Sequence, residues 1–191
     1  MARPREFDRN EVLEKAMQVF WTKGYERTSV RNLVAAMGIN RGSLYDTFGD
    51  KAALYLTALE RYCTGEARPI SAGSDGESAL NAIRRYFETI AEAGLRARKR
   101  GCFISNTIAE FGGQGGTITR TARAGVERAE AAFATLVSQA QAAGEIGRSH
   151  DPHKLARFLI SSLNGLRLVA KTDAAKAELD DIVEVTLSAL A

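Results

Sequence analysis

The chain has 191 residues, 45% of them hydrophobic, and a formal net charge of +3 at pH 7. This length holds one or two small domains with a real apolar core, and so weak a positive charge does not by itself demonstrate nucleic-acid binding. No apolar run approaches the ~18 residues of a membrane helix, the first ten residues lack the apolar centre of a secretory signal, and the two cysteines lack CxxC spacing; the sequence predicts a cytoplasmic protein without disulfides, metal or cofactor.

The composition favours an all-helical protein, because there are only three prolines and strong helix formers such as Ala, Leu and Glu are frequent. The first predicted helix begins after the cap Asp8 and ends at Gly24, with an apolar stripe between them. Arg3 and Arg5 precede it in a short arm, which is either a solvated chain end or a segment that contacts DNA.

Two short helices joined by a tight turn are predicted between Ser29 and Lys51. Ser29 and Asn40 have the side chains of helix caps, and Gly38 suits the left-handed residue that ends the first helix. The second helix has few apolar residues and a polar outer face formed by Arg41, Gly42, Ser43, Tyr45, Asp46 and Thr47. Such a face fits a DNA major groove; the alternative, a helical hairpin inside a core, does not account for it.

The fourth helix is predicted from Asp50 to about Cys63. Lys51 stands in its first turn, where a cation is unfavourable for the helix dipole unless an anion such as a DNA phosphate lies nearby. A segment rich in Gly and Ser follows. We therefore place a DNA-binding head at residues 1–64 and a second helical domain at residues 65–191.

Helical spacing returns at residues 77–97 and ends in the basic run Arg96–Arg100, which is either a solvated helix end or a second nucleic-acid patch. A short helix from Cys102 to Phe111 is followed by four glycines, so this stretch is either a hinge beside a cavity or a core helix with a loose loop. A long helix is predicted from about Ile118 to Ala143.

The last two helices are the most apolar, and Asp151–Pro152 is a good start for the first of them. Their apolar faces exceed what a small domain buries, which favours a homodimer through these two helices. A monomeric core is the alternative. About nine helices are predicted in total.

The run GINRGSLYDTFGDKAAL resembles the DNA-binding signature of the TetR family, and EKAMQVFWTKGYERTSVRNLVAAMG resembles that family's first two helices. The resemblance covers roughly the first 60 residues; the remainder matches only in helix count and layout. It implies a homodimeric transcriptional regulator, a repressor released from a palindromic operator of double-stranded DNA by a small molecule or by thiol modification.

By this resemblance the positions that contact DNA are Thr28, Ser29, Arg31, Asn40, Arg41, Gly42, Ser43, Tyr45, Thr47 and Lys51. Among them, we expect Arg41, Ser43 and Thr47 to read base edges. Tyr45, Lys51 and Thr28 are expected to position phosphates. Many family members have an aromatic-histidine pair where this chain has Asp46-Thr47, so the bases that are read stay open.

The second domain is expected to sense the inducer. Residues expected to line a cavity there, or else to be ordinary core, are Phe87, Ile90, Phe103, Asn106, Phe111, Phe133 and Leu163. Cys102 follows a basic run at a helix N-terminus, and both features lower a thiol pKa and expose the thiolate. Lys171 could approach it, and the start of this helix resembles a family branch that senses electrophiles and oxidants through a cysteine. The alternative is a buried, inert cysteine.

No GxSxG, HExxH, P-loop or GxGxxG motif is present, so the chain is not expected to be an enzyme. A helical thiol enzyme that uses Cys102 with His150 or His153 is an alternative function, and so is a helical adaptor that does not bind DNA. The two histidines flank Asp151 and Pro152, a poor geometry for a metal, so no metal site is predicted.

Overall fold

Caps and apolar spacing produce a chain of α-helices. The structure, a computed structural model, describes residues 7–71, 76–93 and 95–190, and all regular structure in these ranges is helical, as the sequence predicts. Arg3 and Arg5 of the predicted arm lie outside the described residues. The ten described helices are α1 (Arg9–Lys23), α2 (Val30–Met37), α3 (Arg41–Phe48), α4 (Lys51–Ser71), α5 (Ala79–Ala91), α6 (Leu95–Arg100), α7 (Phe103–Phe111), α8 (Gly116–Ala142), α9 (Pro152–Ala170) and α10 (Lys176–Ser188).

Two helices differ from the prediction. The helix predicted over residues 77–97 is divided into α5 and α6, because the Ala93 N–H bonds three residues back to the Ile90 carbonyl and tightens the chain out of the α-helix. The helix predicted to end near Cys63 continues to Ser71. Ile70 near its end is fully buried, and such packing offsets the cost of about 1 kcal/mol for Gly65 inside a helix.

Two buried apolar clusters hold the helices together. The second-domain cluster lies among α5, α8, α9 and α10 and includes Phe87, Phe133 and Leu163. The head cluster is built mainly from α1–α4, but it also contains Cys102, Phe103, Ile104 and Ala122. The start of α7 and one turn of α8 therefore complete the head core, so a displacement of α7 acts directly on the head.

Candidate nucleic-acid interface

Local hydrogen bonds set the angle between α2 and α3. The Ser29 side chain accepts from the Asn32 N–H at 3.1 Å, and Asn32 Oδ1 accepts from the Ser29 N–H, which forms a reciprocal cap. Gly38 has φ +70°, the left-handed conformation predicted for the turn. Asn40 Oδ1 then accepts from the Ser43 N–H at 2.8 Å and starts α3. All three predicted cap and turn positions are confirmed.

Helix α3 packs against the head through one face and exposes the other face to solvent. Its buried residues are Leu44 and Phe48. Arg41, Gly42, Tyr45 and Asp46 are exposed, and Ser43 and Thr47 are half-buried. The Arg41 guanidinium donates to Tyr45 Oη at 3.2 Å and lies 5.5 Å from the Tyr45 ring centroid. A helix that buries two side chains and leaves a polar row at the surface has the form of a groove-reading helix.

Lys51 stands at the first position of α4, beside this face. Asp50 caps the helix by accepting from the Ala53 N–H at 2.8 Å, as the sequence predicts. The Lys51 ammonium lies 4.1 Å from the centroid of the Tyr25 ring, a cation–π distance that holds the side chain near the start of α4. An anion such as phosphate would be attracted to this position both by the Lys51 ammonium and by the positive end of the helix dipole.

Thr28 differs from the other predicted contact residues. Its side chain is fully buried, and its hydroxyl donates to the Gly24 carbonyl at 2.6 Å. The expectation that this side chain positions a phosphate is therefore corrected: the side chain closes the turn before α2. Ser29, Arg31 and Asn40 are exposed, as a contact with DNA requires.

A carboxylate from the second domain holds the turn between α1 and α2. Glu110 on α7 accepts from the Tyr25 N–H at 2.9 Å and from the Glu26 N–H at 2.8 Å. Gly24, with φ +79°, lets Glu110 approach, because a Cβ there would meet Glu110 Oε2 at 3.1 Å. No local pattern in the sequence predicts this clamp, because Glu110 lies 84 and 85 positions along the chain from Glu26 and Tyr25.

Aromatic rings beside the Glu110 clamp extend the packing between α7 and the head. The Tyr25 ring lies 5.3 Å from the Phe111 ring and 5.2 Å from the Tyr55 ring, measured between centroids. Burial, together with the charges of Glu26, Asp50 and Glu110, raises the pKa of Tyr25. Burial also raises the pKa of Tyr55 to about 12, against the lowering effect of its hydrogen bond to Thr107. Both phenols therefore stay neutral at physiological pH and serve as packing and hydrogen-bonding groups.

The residues predicted to sense an inducer are divided among different places. Phe87, Phe133 and Leu163 are buried in the second-domain cluster, and Phe103 and Phe111 pack in or against the head cluster. Ile90 lines one cavity, and Phe103, Asn106 and Lys171 line another.

Asn106 has the partners that its partial burial requires. Its Nδ2 donates to the Arg100 carbonyl at 2.8 Å, and its Oδ1 accepts from the Lys171 ammonium at 2.9 Å. Lys171 thus reaches α7, where its ammonium is bonded to Asn106; its approach to Cys102 stays a prediction. The run Arg96–Arg100 is not wholly a solvated helix end, because Arg100 is half-buried and packs on Trp21.

Cys102 is the N-cap residue of α7, as predicted, but its thiol is not exposed. The residue is 5% exposed and belongs to the head cluster. Its sulfur accepts a hydrogen bond from Tyr62 Oη at 3.8 Å. The expectation of an exposed thiolate is therefore wrong, because the helix start that carries Cys102 is used to complete the head core.

Three other features bear on function. Among the described residues no group of three or more His, Cys, Asp or Glu side chains is placed to hold a metal ion. None of the described helices is both long and apolar enough to cross a membrane. His153 is exposed, and its Nδ1 lies 3.9 Å from the half-buried carboxylate of Glu130.

Two family models match this chain, one over its N-terminal part and one over its C-terminal part. Residues 12–58 match the family model described as bacterial regulatory proteins, tetR family, and residues 76–185 match the tetracyclin repressor-like C-terminal domain. The HTH-type transcriptional repressor ComR of Escherichia coli is 33% identical over 97% of this chain and 90% of its own length. YezE of Bacillus subtilis, an uncharacterized HTH-type transcriptional regulator, is 34% identical over 100% of both chains.

A solved structure shows a similar chain on DNA. It is a cysteine mutant of the TetR family transcriptional regulator CifR complexed with 26-bp double-strand operator DNA, 31% identical over 100% of both chains with a TM-score of 0.82. These relatives are transcriptional regulators and not enzymes, which confirms the expectation of a non-enzymatic function.

Proposed function

This chain belongs to the TetR family and is a DNA-binding transcriptional regulator, and from that premise we propose that it is a homodimeric repressor, released from a palindromic operator by an inducer. The main support for the proposal is the exposed polar face of α3, a helix that buries only two of its side chains. Because such a protein works on chromosomal DNA, we place it in the cytoplasm.

The proposed contacts follow the geometry of α2–α4. Arg41, Ser43 and Thr47 lie on the outer face of α3 and are assigned to base edges. Tyr45 and Lys51 are assigned to phosphates: Tyr45 is exposed on α3, and Lys51 lies at the start of α4. The exposed residues Ser29, Arg31, Asn40 and Gly42 complete the set, which no longer includes the Thr28 side chain.

The proposed dimer is formed by α9 and α10 of each chain. Phe158 and Leu168 on α9 are 41% and 67% exposed, and Val185 on α10 is 68% exposed. Large apolar side chains left at the surface of two neighbouring helices are suited to a four-helix interface with a second copy. Such a dimer would set two α3 helices about 34–36 Å apart, the spacing of successive major grooves.

The proposed release is a shift in population between two states. The inducer is either a small molecule or an electrophile that modifies Cys102. A small molecule must bind more tightly to the state that does not bind DNA, and a modified Cys102 must be better accommodated in that state. Helix α7 supports this role, because it carries Cys102 at its start and the Glu110 clamp near its end. Modification of a thiol that is 5% exposed requires α7 to move, and that movement would disturb the head core.

Selection of bound sequences from random duplex DNA tests the proposed function. Purified, reduced protein at a stated salt concentration is expected to enrich a palindrome whose half-sites are about one helical turn apart. Enrichment of a single half-site would contradict the dimer. No enrichment by a folded, dimeric protein, with and without reductant, would contradict the repressor.

Lys51→Ala is expected to weaken binding to the operator and to unrelated DNA by similar factors, because a phosphate contact carries no sequence information. Loss of one phosphate contact per chain should reduce the slope of log K against log salt by about 1 for each chain bound. Mobility-shift titrations between 50 and 200 mM salt measure this slope, and Lys154→Ala at an exposed site on α9 is the control. An unchanged slope would remove Lys51 from the interface.

Cys102→Ser is expected to abolish the release of operator DNA by N-ethylmaleimide or hypochlorite if the inducer is an electrophile. Cys63→Ser is the matched control, because Cys63 is the second buried cysteine of the chain, and this variant should still be released. Release is measured by mobility shift and thiol modification by mass spectrometry. Release of the Cys102→Ser variant at the same reagent concentration as the wild type would contradict thiol sensing through Cys102.

A further inference from the structure

Asp46 lies opposite the buried face of α3. The two buried residues of this helix, Leu44 and Phe48, are one turn apart and define the face that packs on the head. Successive residues of an α-helix are rotated by roughly 100°, so a residue two positions after Leu44 and two before Phe48 points away from that face. Asp46 stands at this position and is exposed. Its side chain therefore points most directly into a groove that α3 enters.

The residues beside Asp46 allow α3 to approach DNA closely. Gly42, one turn earlier on the same face, has no side chain, and Ser43, three residues earlier, is small. The long side chains of Arg41 and Tyr45 are rotated from Asp46 by about 140° and 100° around the helix axis, and they are hydrogen-bonded to each other at 3.2 Å. The centre of the outer face is thus formed by short side chains. An aspartate is itself short, so it reaches a base only from a helix that lies deep in the groove.

The Asp46 carboxylate has no role in the fold of the described residues. The other two aspartates of the head, Asp8 and Asp50, are helix caps that accept from backbone N–H groups. The Asp46 side chain forms neither a hydrogen bond nor a salt bridge within residues 7–71, 76–93 and 95–190. Its oxygens are therefore available to a donor that α3 meets outside the protein.

A carboxylate at the centre of a DNA-facing surface is unfavourable unless it meets a donor. The phosphates repel it, and it loses water as the helix enters the groove. In the major groove the bases offer two donors, the amino groups at cytosine N4 and adenine N6. Adenine N6 lies between two acceptors, its own N7 and thymine O4, whereas cytosine N4 has an acceptor, guanine O6, on one side only. Cytosine is therefore the base that a carboxylate selects.

We propose that Asp46 is a specificity-determining residue that reads one cytosine in each half-site of the operator. Its carboxylate accepts a hydrogen bond from the cytosine N4 amino group, in addition to the contacts assigned above to the other residues of α3. Any other base at that position turns more acceptors toward the carboxylate, so Asp46 acts mainly by rejecting wrong sites. This inference rests on the proposed function and adds the identity of one base to it.

Parallel selections from random duplex DNA test this assignment. The four proteins are the wild type, Asp46→Ala, Asp46→Asn and the control Glu60→Ala, which removes an exposed carboxylate of α4. We expect the wild type and the control to select the same palindrome, with cytosine at one symmetric position of each half-site. Asp46→Ala is expected to lose the preference at that position alone. Asp46→Asn is expected to select adenine there, because an amide both accepts from adenine N6 and donates to adenine N7.

Mobility-shift titrations measure the size of the preference. The selected palindrome is compared with three versions in which thymine, adenine or guanine replaces the cytosine in both half-sites. We expect the wild type to bind the cytosine version about tenfold more tightly than each of the others, and Asp46→Ala to bind all four within about threefold. Asp46→Ala is also expected to bind unrelated duplex DNA about twofold more tightly, since it lacks a charge that phosphates repel. Thermal unfolding verifies that each variant is folded.

Two outcomes overturn the proposal while the repressor stands. In one, Asp46→Ala and Asp46→Asn both select the wild-type palindrome with unchanged base preferences. In the other, Asp46→Ala gains affinity for all DNA alike and keeps its preference for cytosine, which would mean that the carboxylate only repels phosphates. A wild-type protein that enriches no sequence contradicts the repressor itself, and the cytosine contact with it, so the two failures are distinguished by whether the wild type selects DNA.

Discussion

Replacing Glu110 by alanine is expected to weaken operator binding about tenfold or more and to lower the free energy of unfolding by about 2–3 kcal/mol. The variant loses the carboxylate that accepts from the Tyr25 and Glu26 N–H groups at 2.9 and 2.8 Å. Each donor left without its charged acceptor costs about 1–3 kcal/mol when it is buried, and less at the more exposed Glu26.

The effect on DNA binding arises because the clamp sets the position of the turn that leads into α2. Without it, the head samples orientations relative to α7 that do not fit the operator, and the apparent affinity falls with the fraction that does fit. In a dimer both heads lose the clamp, so the two losses combine.

Two measurements test the clamp together: mobility shifts with the selected operator at fixed salt, and chemical denaturation. Glu127→Ala is the control, because Glu127 is exposed and pairs only with Arg123 four residues earlier in the same helix among its described salt bridges, a contact worth a few tenths of a kcal/mol. A folded Glu110→Ala variant that is less stable but binds the operator normally would show that the clamp has no part in DNA binding.

Gly125→Ala is expected to destabilise the protein by roughly 1–2 kcal/mol, although glycine to alanine inside a helix ordinarily stabilises by up to about 1 kcal/mol. The reason is the close packing of α8 on α4 and α7. A Cβ at Gly125 would lie 2.6 Å from Cys63 Sγ and 2.8 Å from Ile104 Cδ1, and both of these side chains are buried in the head cluster.

Gly65→Ala is the matched control for this change. Gly65 also lies inside a helix, and a Cβ there would have nothing within 4 Å, so we expect this variant to be more stable by about 0.5–1 kcal/mol. The difference in unfolding free energy between the two alanine variants, measured by urea denaturation, removes the common propensity term. Two variants that are equally stable would mean that the α4–α7–α8 packing relaxes without cost.

The residues whose roles are predicted correctly from the sequence are those that act on near neighbours in the chain. The caps Ser29, Asn40, Asp50 and Asp151 and the left-handed Gly38 all act within four residues of themselves. Capping and apolar spacing operate over one helical turn, so they are readable from a single sequence. The family signature lies in the same local stretch.

The sequence by itself therefore determined the helical class, the helix-turn-helix and the family, because these depend on short-range patterns. Only the tertiary structure decided that Thr28 and Cys102 are buried, that Glu110 holds the head and that Arg100 lines a cavity. Each of these facts depends on which distant segment packs against a residue. The contacts of Glu110 with Tyr25 and of Arg100 with Gln18 join residues 85 and 82 positions apart, and no local pattern specifies such a partner.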